Sequence, residues 1–363
     1  MKKTVFYNEH IKMGGRMVPF AGFEMPLEFS GVRKEHIHVR TKVAVFDVSH
    51  MGEIWIEGEN AEAFVQYMTS NNIKKLMPGK IQYSCFPNGR GGIVDDLLVY
   101  MLEKNRYLLV VNASNIQKDW DWLLKNNNMG VELTNASDRM SQLAVQGPDA
   151  IKVLQKISTV QLDKIPYFNF VIGDLAGKKN VIISHTGYTG AGGFEIYFDN
   201  PDGPPILNAL MDAGREYDIQ PAGLASRDTL RLEMGFCLYG NDIDDSTSPL
   251  EAGLDWIIKF VDGNVFIDRK NLEIQKNKGL KKKLVGFELK DRGIPRKDYP
   301  IMNESGQQIG RVTSGTMSPF TSKAIGLGYV PTDFSIPGTT IYIGIRNNLI
   351  RATVVKPPFI KQE

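Results

Sequence analysis

The segment Tyr83 to Tyr100, YSCFPNGRGGIVDDLLVY, constrains the fold of this chain more than any other. Asn88 to Gly92 sets turn-forming residues between two strand-like runs, and its glycines supply the positive φ that lets a chain reverse on itself. An antiparallel hairpin follows, which excludes an all-helical protein. Further strand-like runs at Glu53 to Ile56, Leu108 to Val111 and Val181 to Ser184 are set among helical patterns. Those patterns cover Asn60 to Thr69, Ala113 to Lys125, Asp202 to Ala213 and Pro221 to Met234, the last ended by Gly235. The expected class is α+β. Beyond the charged stretch Asn277 to Lys283 (NKGLKKK) come short strands with turn residues between them: LVGFEL, GRVTSG, AIGLGYV, TIYIGI and RATVV. That is the pattern of a small β-barrel or sandwich.

The same sequence removes whole function classes. A chain of 363 residues has room for two or three domains. Its 43 Lys and Arg stand against 41 Asp and Glu, a net charge of +2 with no basic-aromatic module, so no nucleic acid partner is expected and nucleic acid binding stays a minor alternative with only local support. The longest apolar runs, such as Tyr107 to Val111, fall far short of the roughly 20 residues a membrane helix needs, and no membrane partner is expected. The start, MKKTVFYNEH, has no apolar secretory segment and reads as cytoplasmic. Cys85 and Cys237 lie far apart, and His10, His36, His38, His50 and His185 form no HExxH-like spacing. Neither a disulfide framework nor a metal site is expected. No G-x-G-x-x-G and no P-loop occurs.

Four stretches carry side chains suited to chemistry. Along Gly91 to Tyr100, period-two alternation sets Ile93, Asp95, Leu97 and Val99 on one face and Val94, Asp96, Leu98 and Tyr100 on the other. Carboxylates are costly inside an apolar strand, so one aspartate needs a partner or a task; the plainer reading is a salt bridge or a solvated hairpin end. Alternation does not choose between them. His185 to Ile196 (HTGYTGAGGFEI) is a glycine-rich loop leading into a strand that holds Glu195. With no lysine after it and no helix to follow, it suits close approach to a flat ligand rather than a phosphate. Tyr188 either stacks on such a ligand or covers the core. Arg227 and Arg231, four apart on one helix face, repel unless an acid or an anion lies between them. Asp228 is the candidate acid, and a carboxylate clamp is the alternative. In MVPFAGFEMPLEF and VAVFDVSHMG, Phe20, Phe23, Met25 and Phe46 read as core, His50 as a packed, hydrogen-bonded histidine, and Asp47 with Ser49 as a turn or cap.

Taken together, FAGFEMP, FDVSHMG, GGIVDDLLVY, HTGYTGAGGFE, PAGLASRDTLRLE, CLYGNDI and the closing VTSGTMSP with GYVP resemble the glycine cleavage T-protein family, in the same order and essentially end to end. These are the tetrahydrofolate-dependent aminomethyltransferases. The resemblance implies three domains in a cloverleaf around a central folate channel. Residues 1–52 with 136–275 would form a discontinuous folate-binding domain, 53–135 an inserted domain with the Asp96 hairpin, and 276–363 a β-barrel-like domain. It implies that an aminomethyl group on the lipoyl arm of H-protein gives its methylene to tetrahydrofolate, with release of ammonia and no metal. Residue roles come with it. Asp96 matches the family's acid beside the folate nitrogens, and Asp95 is left a structural role. Glu195 matches the pterin-binding glutamate and Arg227 the arginine of the family's GLxARD motif, while Met51, Tyr83, Asn112 and Tyr188 match positions lining the channel. Ala191 and Gly192 stand where relatives commonly carry acidic residues, and Phe23 replaces a more usual tryptophan.

Those residue types suit that chemistry. A fixed carboxylate such as Asp96 stabilises positive charge developing at the transferred carbon and nitrogen and helps move the proton. A carboxylate at 195 matches two adjacent N–H donors of a pterin. The basic stretch Lys281 to Lys283 is a docking candidate for H-protein, although charge runs are commonly solvated faces. Relatives fused to a flavin domain need far more chain, and the KGCYxGQE signature of the iron–sulfur helper is absent. A folate-binding module of the same fold without transferase activity is the remaining alternative.

Overall fold

Alternating burial builds the principal sheet of the first of two compact units. The structure, a computed structural model, describes residues 1–360. The first unit comprises Met1–Gln66, Asn72–Tyr83 and Leu97–Asp228; the second comprises Tyr67–Asn71, Ser84–Asp96 and the chain from Thr229 onward. In the first, six strands run in the order Phe170–Leu175, Lys178–Ser184, Gly193–Asp199, Met140–Gln146, Ala44–Asp47 and Gln220–Pro221. Val181, Ile183, Phe194, Ile196, Leu143 and Val145 belong to a core shared with the helices Ala150–Gln155 and Gly203–Ala213, which contribute Val153, Leu154, Ile206, Leu207 and Leu210. Each such side chain, fully buried, is worth about 1.5–3 kcal/mol. The alternate residues, among them Ile182, Ser184, Gln142, Glu195 and Tyr197, take the opposite side.

That side packs on a second sheet of five strands, in the order Lys80–Pro87, Ile93–Glu103, Arg106–Val111, Gly52–Glu57 and Glu132–Asn135. Tyr100, Leu108 and Val110 from the five-stranded sheet meet Phe170, Ile182 and Tyr197 from the six-stranded one. The helices expected from sequence are present with ends shifted by up to about three residues: Ala61–Met68, Ile116–Asn126 behind a 3-10 turn at Ala113–Asn115, Gly203–Ala213 and Leu224–Met234. The last begins later than the pattern suggested because Gln220–Pro221 is drawn into the sheet beside Ala44 and Val45, and the Ala222 N–H donates to the Val45 carbonyl at 3.0 Å. It stops at Gly235 (φ +73°), where the Gly235 and Phe236 N–H groups bond back to Leu232 and Arg231.

The second unit holds the hairpin tip and a barrel. Asn88 closes the turn: its N–H donates to the Gly92 carbonyl at 3.0 Å, and its Oδ1 accepts from the N–H groups of Arg90 and Gly92 at 2.9 and 3.0 Å. Gly89 and Gly91 carry the positive φ. Gly92 is needed for space, since an added Cβ would run into the Asp245 carbonyl. The C-terminal strands close into a six-stranded barrel: Lys282–Leu289, Ala324–Pro331, Gln308–Met317, Pro300–Met302, Thr340–Ile345 and Asn348–Val355. The three-residue strand Pro300–Met302 is too short to leave a period in the sequence. Arg231 pairs with Asp242, Nη1 to Oδ2 2.7 Å, an acid outside the helical spacing that pointed to Asp228. The loop after the helix brings Asp242 back to that guanidinium, a distance no helical period records. No helix among the described residues is long and apolar enough to cross a membrane.

Candidate active site

Glu195 sits mid-strand in the first unit, opposite Ser184 on one neighbouring strand and Ala144 on the other. It is 5% exposed. Oε2 accepts from Thr186 Oγ1 at 2.6 Å and Oε1 accepts from Gln142 Nε2 at 3.1 Å. A carboxylate has about four acceptor positions, so each oxygen keeps one open. Burial raises the Glu195 pKa, and the Arg227 charge and the Thr186 hydroxyl offset only part of that rise.

Arg227 lies with its guanidinium carbon 4.8 Å from the centre of the Tyr188 ring. Both residues are half-buried, and a stack of this kind is worth about 0.5–2 kcal/mol. Its Nη1 is buried without a hydrogen-bond partner. His50 feels the same guanidinium. Burial lowers its pKa to about 4, Asp47 opposing the drop and Arg227 adding to it, so the ring is neutral at pH 7. The sequence reading of a hydrogen-bonded His50 needs correction, because its buried Nδ1 has no partner. Phe20, read as core, is 40% exposed and packs edge-on to the His50 ring at 5.4 Å. Met25 and Phe46 are core as expected, and Asp47 does cap a turn, accepting from the Ser49 N–H at 2.9 Å.

Two glycines of the glycine-rich loop make room for the protein's own neighbouring strand. A Cβ on Gly187 would collide with the Gln146 side-chain amide, and one on Gly193 (φ +121°) with the Val145 carbonyl. Gln146 organises the loop: its Oε1 accepts from Thr189 Oγ1 at 2.7 Å, and its Nε2 donates to the carbonyls of Thr186 and Phe194 at 3.2 and 3.3 Å. Ala191 and Gly192 lie on the outer part of that loop, with nothing within 4 Å of a Cβ at Gly192.

The structure thus brings Glu195, Arg227 and Tyr188 together, with Met51 half-buried against the cluster that contains Tyr100 and Tyr197. Tyr83 and Asn112 are half-buried at the ends of first-unit segments of the five-stranded sheet, Asn112 directly after Arg106–Val111. Asp96 belongs to the second unit and is half-buried, whereas Asp95 beside it is fully buried. Both aspartates raise the pKa of the Cys85 thiol, which burial above all pushes to about 12. Gln142, Thr186, Tyr197 and Gln146 went unnoticed in the sequence, and Tyr100 was placed only on a strand face. The available signal was a polar residue on the inward face of an apolar strand, as at Gln142 in Met140–Gln146.

Comparison with known proteins gives this geometry a context. Residues 6–262 match the family model described as GCVT N-terminal domain, and residues 282–361 match the glycine cleavage T-protein C-terminal barrel domain. The chain belongs to the glycine cleavage T-protein family. It is 59% identical to a protein of Bacteroides thetaiotaomicron named aminomethyltransferase, covering 99% of this chain and 100% of that one. It is 56% identical to the protein of the same name from Flavobacterium psychrophilum, covering 100% of both. The crystal structure of glycine cleavage system aminomethyltransferase T from Bartonella henselae superposes with a TM-score of 0.92 at 33% identity, over 99% of this chain and 98% of that one. The family's mixed α and β architecture with its terminal barrel is the one seen here. With T-protein relatives of that name matching end to end, the chain is a transferase rather than a binding module without activity.

Proposed function

We infer that the protein transfers the methylene of the aminomethyl group on the lipoyl arm of an H-protein to tetrahydrofolate, yielding 5,10-methylenetetrahydrofolate, ammonia and dihydrolipoyl H-protein. The observation that carries this reading is the buried Glu195 carboxylate with one open acceptor on each oxygen, beside buried groups that lack partners, Gln142 Oε1 and Arg227 Nη1. Each unsatisfied buried polar group costs about 1–3 kcal/mol. A reduced pterin, with adjacent ring N–H and amino donors and a carbonyl acceptor, suits that set, and we assign Glu195 and Arg227 to hold it with Tyr188, Met51, Tyr83 and Asn112 around it. Bound there, tetrahydrofolate supplies the nitrogens that receive the one-carbon unit.

The remaining work belongs to the chain. We assign Asp96 the catalytic role: its carboxylate stabilises positive charge developing at the transferred carbon and nitrogen and takes part in moving the proton. Docking of H-protein at Lys281 to Lys283, and a cytoplasmic location, complete the reading. Lys282 is already drawn toward Glu251, Nζ to Oε2 3.9 Å, and over the Tyr329 ring at 5.1 Å, which leaves most of the docking charge to its neighbours. Glu195→Ala is the decisive variant. Tetrahydrofolate binding should weaken by about 10- to 100-fold, the worth of hydrogen bonds to a charged group, while turnover at saturating folate falls much less. An unchanged folate dissociation constant in equilibrium titration refutes the assignment.

A further inference from the structure

Behind Glu195 six hydrogen bonds close into a ring that the strand ladders do not require. Gln142 Nε2 donates to Glu195 Oε1 at 3.1 Å and to the Tyr197 hydroxyl at 3.0 Å. The Tyr197 and Tyr100 hydroxyls are 2.8 Å apart, Tyr100 OH and Ser184 Oγ 3.0 Å, and Ser184 Oγ and Thr186 Oγ1 2.7 Å. Thr186 Oγ1 then donates to Glu195 Oε2 at 2.6 Å. All six side chains are buried, Glu195 the least of them at 5% exposed. Strand register explains how they meet. Gln142 pairs with Tyr197 and Ser184 with Glu195 across neighbouring strands, and Tyr100 reaches in from the facing sheet.

Counting protons fixes the direction of every bond. An amide NH2 has two hydrogens and accepts nothing, so Gln142 donates both ways. Turning the amide over would set its oxygen against a carboxylate oxygen, which excludes that orientation. The Tyr197 oxygen therefore accepts from Gln142, and its single proton goes to Tyr100. The Tyr100 proton goes in turn to Ser184, the Ser184 proton to Thr186, and the Thr186 proton to Glu195. Run the other way, the chain ends with a Tyr197 proton aimed at a group that has no lone pair to offer. Both arms of the ring thus end as donors on Glu195, one on each oxygen. Chains that run one way polarise each successive bond, by roughly 10–30%. Both phenols stay protonated, since burial pushes their pKa values up and the neighbouring Glu195 charge adds to it.

We propose that this ring is the positioning device of the folate site: one donor on each Glu195 oxygen locks the carboxylate plane, so the remaining acceptor on each oxygen faces two adjacent N–H donors of the bound pterin. Thr186 and Gln142 are its positioning residues, and Tyr197, Tyr100 and Ser184 act through them. A terminal carboxylate torsion is otherwise soft, and two donors on opposite oxygens remove that freedom before the ligand arrives. The inference rests on the assignment of Glu195 to folate.

The test measures tetrahydrofolate binding by equilibrium titration, and KM against kcat, in the full-length protein and its variants. Thr186→Val keeps the shape and removes the terminal donor; the folate dissociation constant and KM should rise about tenfold, with kcat at saturating folate changed far less. Thr186→Ser restores the hydroxyl and should recover most of that loss. Tyr100→Phe breaks two ring bonds without touching Glu195 and should raise the dissociation constant about threefold. If Thr186→Val melts below the assay temperature, Tyr197→Phe replaces it; acting through Gln142, it should raise the dissociation constant about threefold, as Tyr100→Phe does. Should Glu195→Ala weaken folate while Thr186→Val and Tyr100→Phe bind like the parent, the ring has no positioning role and the proposal fails alone. Serine at 186 binding as poorly as valine overturns it too, since packing would then be the cause. If Glu195→Ala itself leaves binding unchanged, the folate assignment is what has failed.

Discussion

Asp242→Ala strips the acid from a guanidinium that has no route to water. The Arg231 side chain is 1% exposed and that of Asp242 is 0% exposed. Arg231 would lose a charge-assisted bond of 2.7 Å from Nη1, while its bonds to the Phe236 carbonyl at 3.0 Å and Ser314 Oγ at 2.8 Å stay in place. The Leu238 N–H (2.9 Å from Asp242 Oδ2), the Ser314 hydroxyl (3.0 Å from the same oxygen) and the Thr313 hydroxyl would lose that acceptor. Three donors losing a buried charged acceptor, at about 1 kcal/mol or more each, put the cost at about 3–5 kcal/mol, the range for a buried ion pair broken on one side. Urea unfolding followed by tryptophan fluorescence reads this directly. With a slope of about 2–3 kcal/mol/M, the single variant should lower the midpoint by about 1–2 M. A midpoint lowered by less than about 0.3 M refutes the reasoning.

Three further outcomes are expected. Burial pushes the Asp47 carboxyl up, but the His10 hydrogen bond and charge, with donors from Thr4 and Ser49, outweigh it and hold the pKa below the ordinary 3.8. A lowered folded-state pKa means that this stabilisation is complete above the unfolded value and disappears as pH falls through the folded one. Asp47→Asn should therefore flatten the acid limb of the stability profile below about pH 4, and an unchanged limb in acid titration would sink the idea. Asp96→Asn keeps shape and removes charge; turnover should drop about 100-fold or more while folate affinity moves little, and full activity would take Asp96 out of the mechanism. Gly92→Ala drives a Cβ into the Asp245 carbonyl and should cost about 1–3 kcal/mol by thermal melting, with parental stability contradicting the close approach.

Much of the architecture was legible because backbone geometry leaves a period in the sequence. The hairpin at Asn88 to Gly92, the strand runs and the barrel strands follow from turn chemistry and alternation. The helix from Gly203 to Ala213 lies within one residue of its sequence-based bounds. Where a two-residue pairing competed with a helix start, as at Gln220–Pro221, the local signal lost to a sheet partner far away in the chain. The family resemblance also rested on local strings, and it held from end to end.

The sequence by itself determined the class, the turn positions, the alternation of side chains between the two faces of each strand and the membership of the T-protein family, because these depend on neighbours a few residues apart. Tertiary structure alone decided which acid meets Arg231, which groups the loop glycines make room for, that Asp95 rather than Asp96 is the fully buried aspartate, and that Glu195 closes a ring with Gln142, Tyr197, Tyr100, Ser184 and Thr186. Those outcomes turn on side chains brought together from distant segments, and whether a buried polar atom is satisfied is a matter of a few tenths of an ångström in space, which no spacing along the chain encodes.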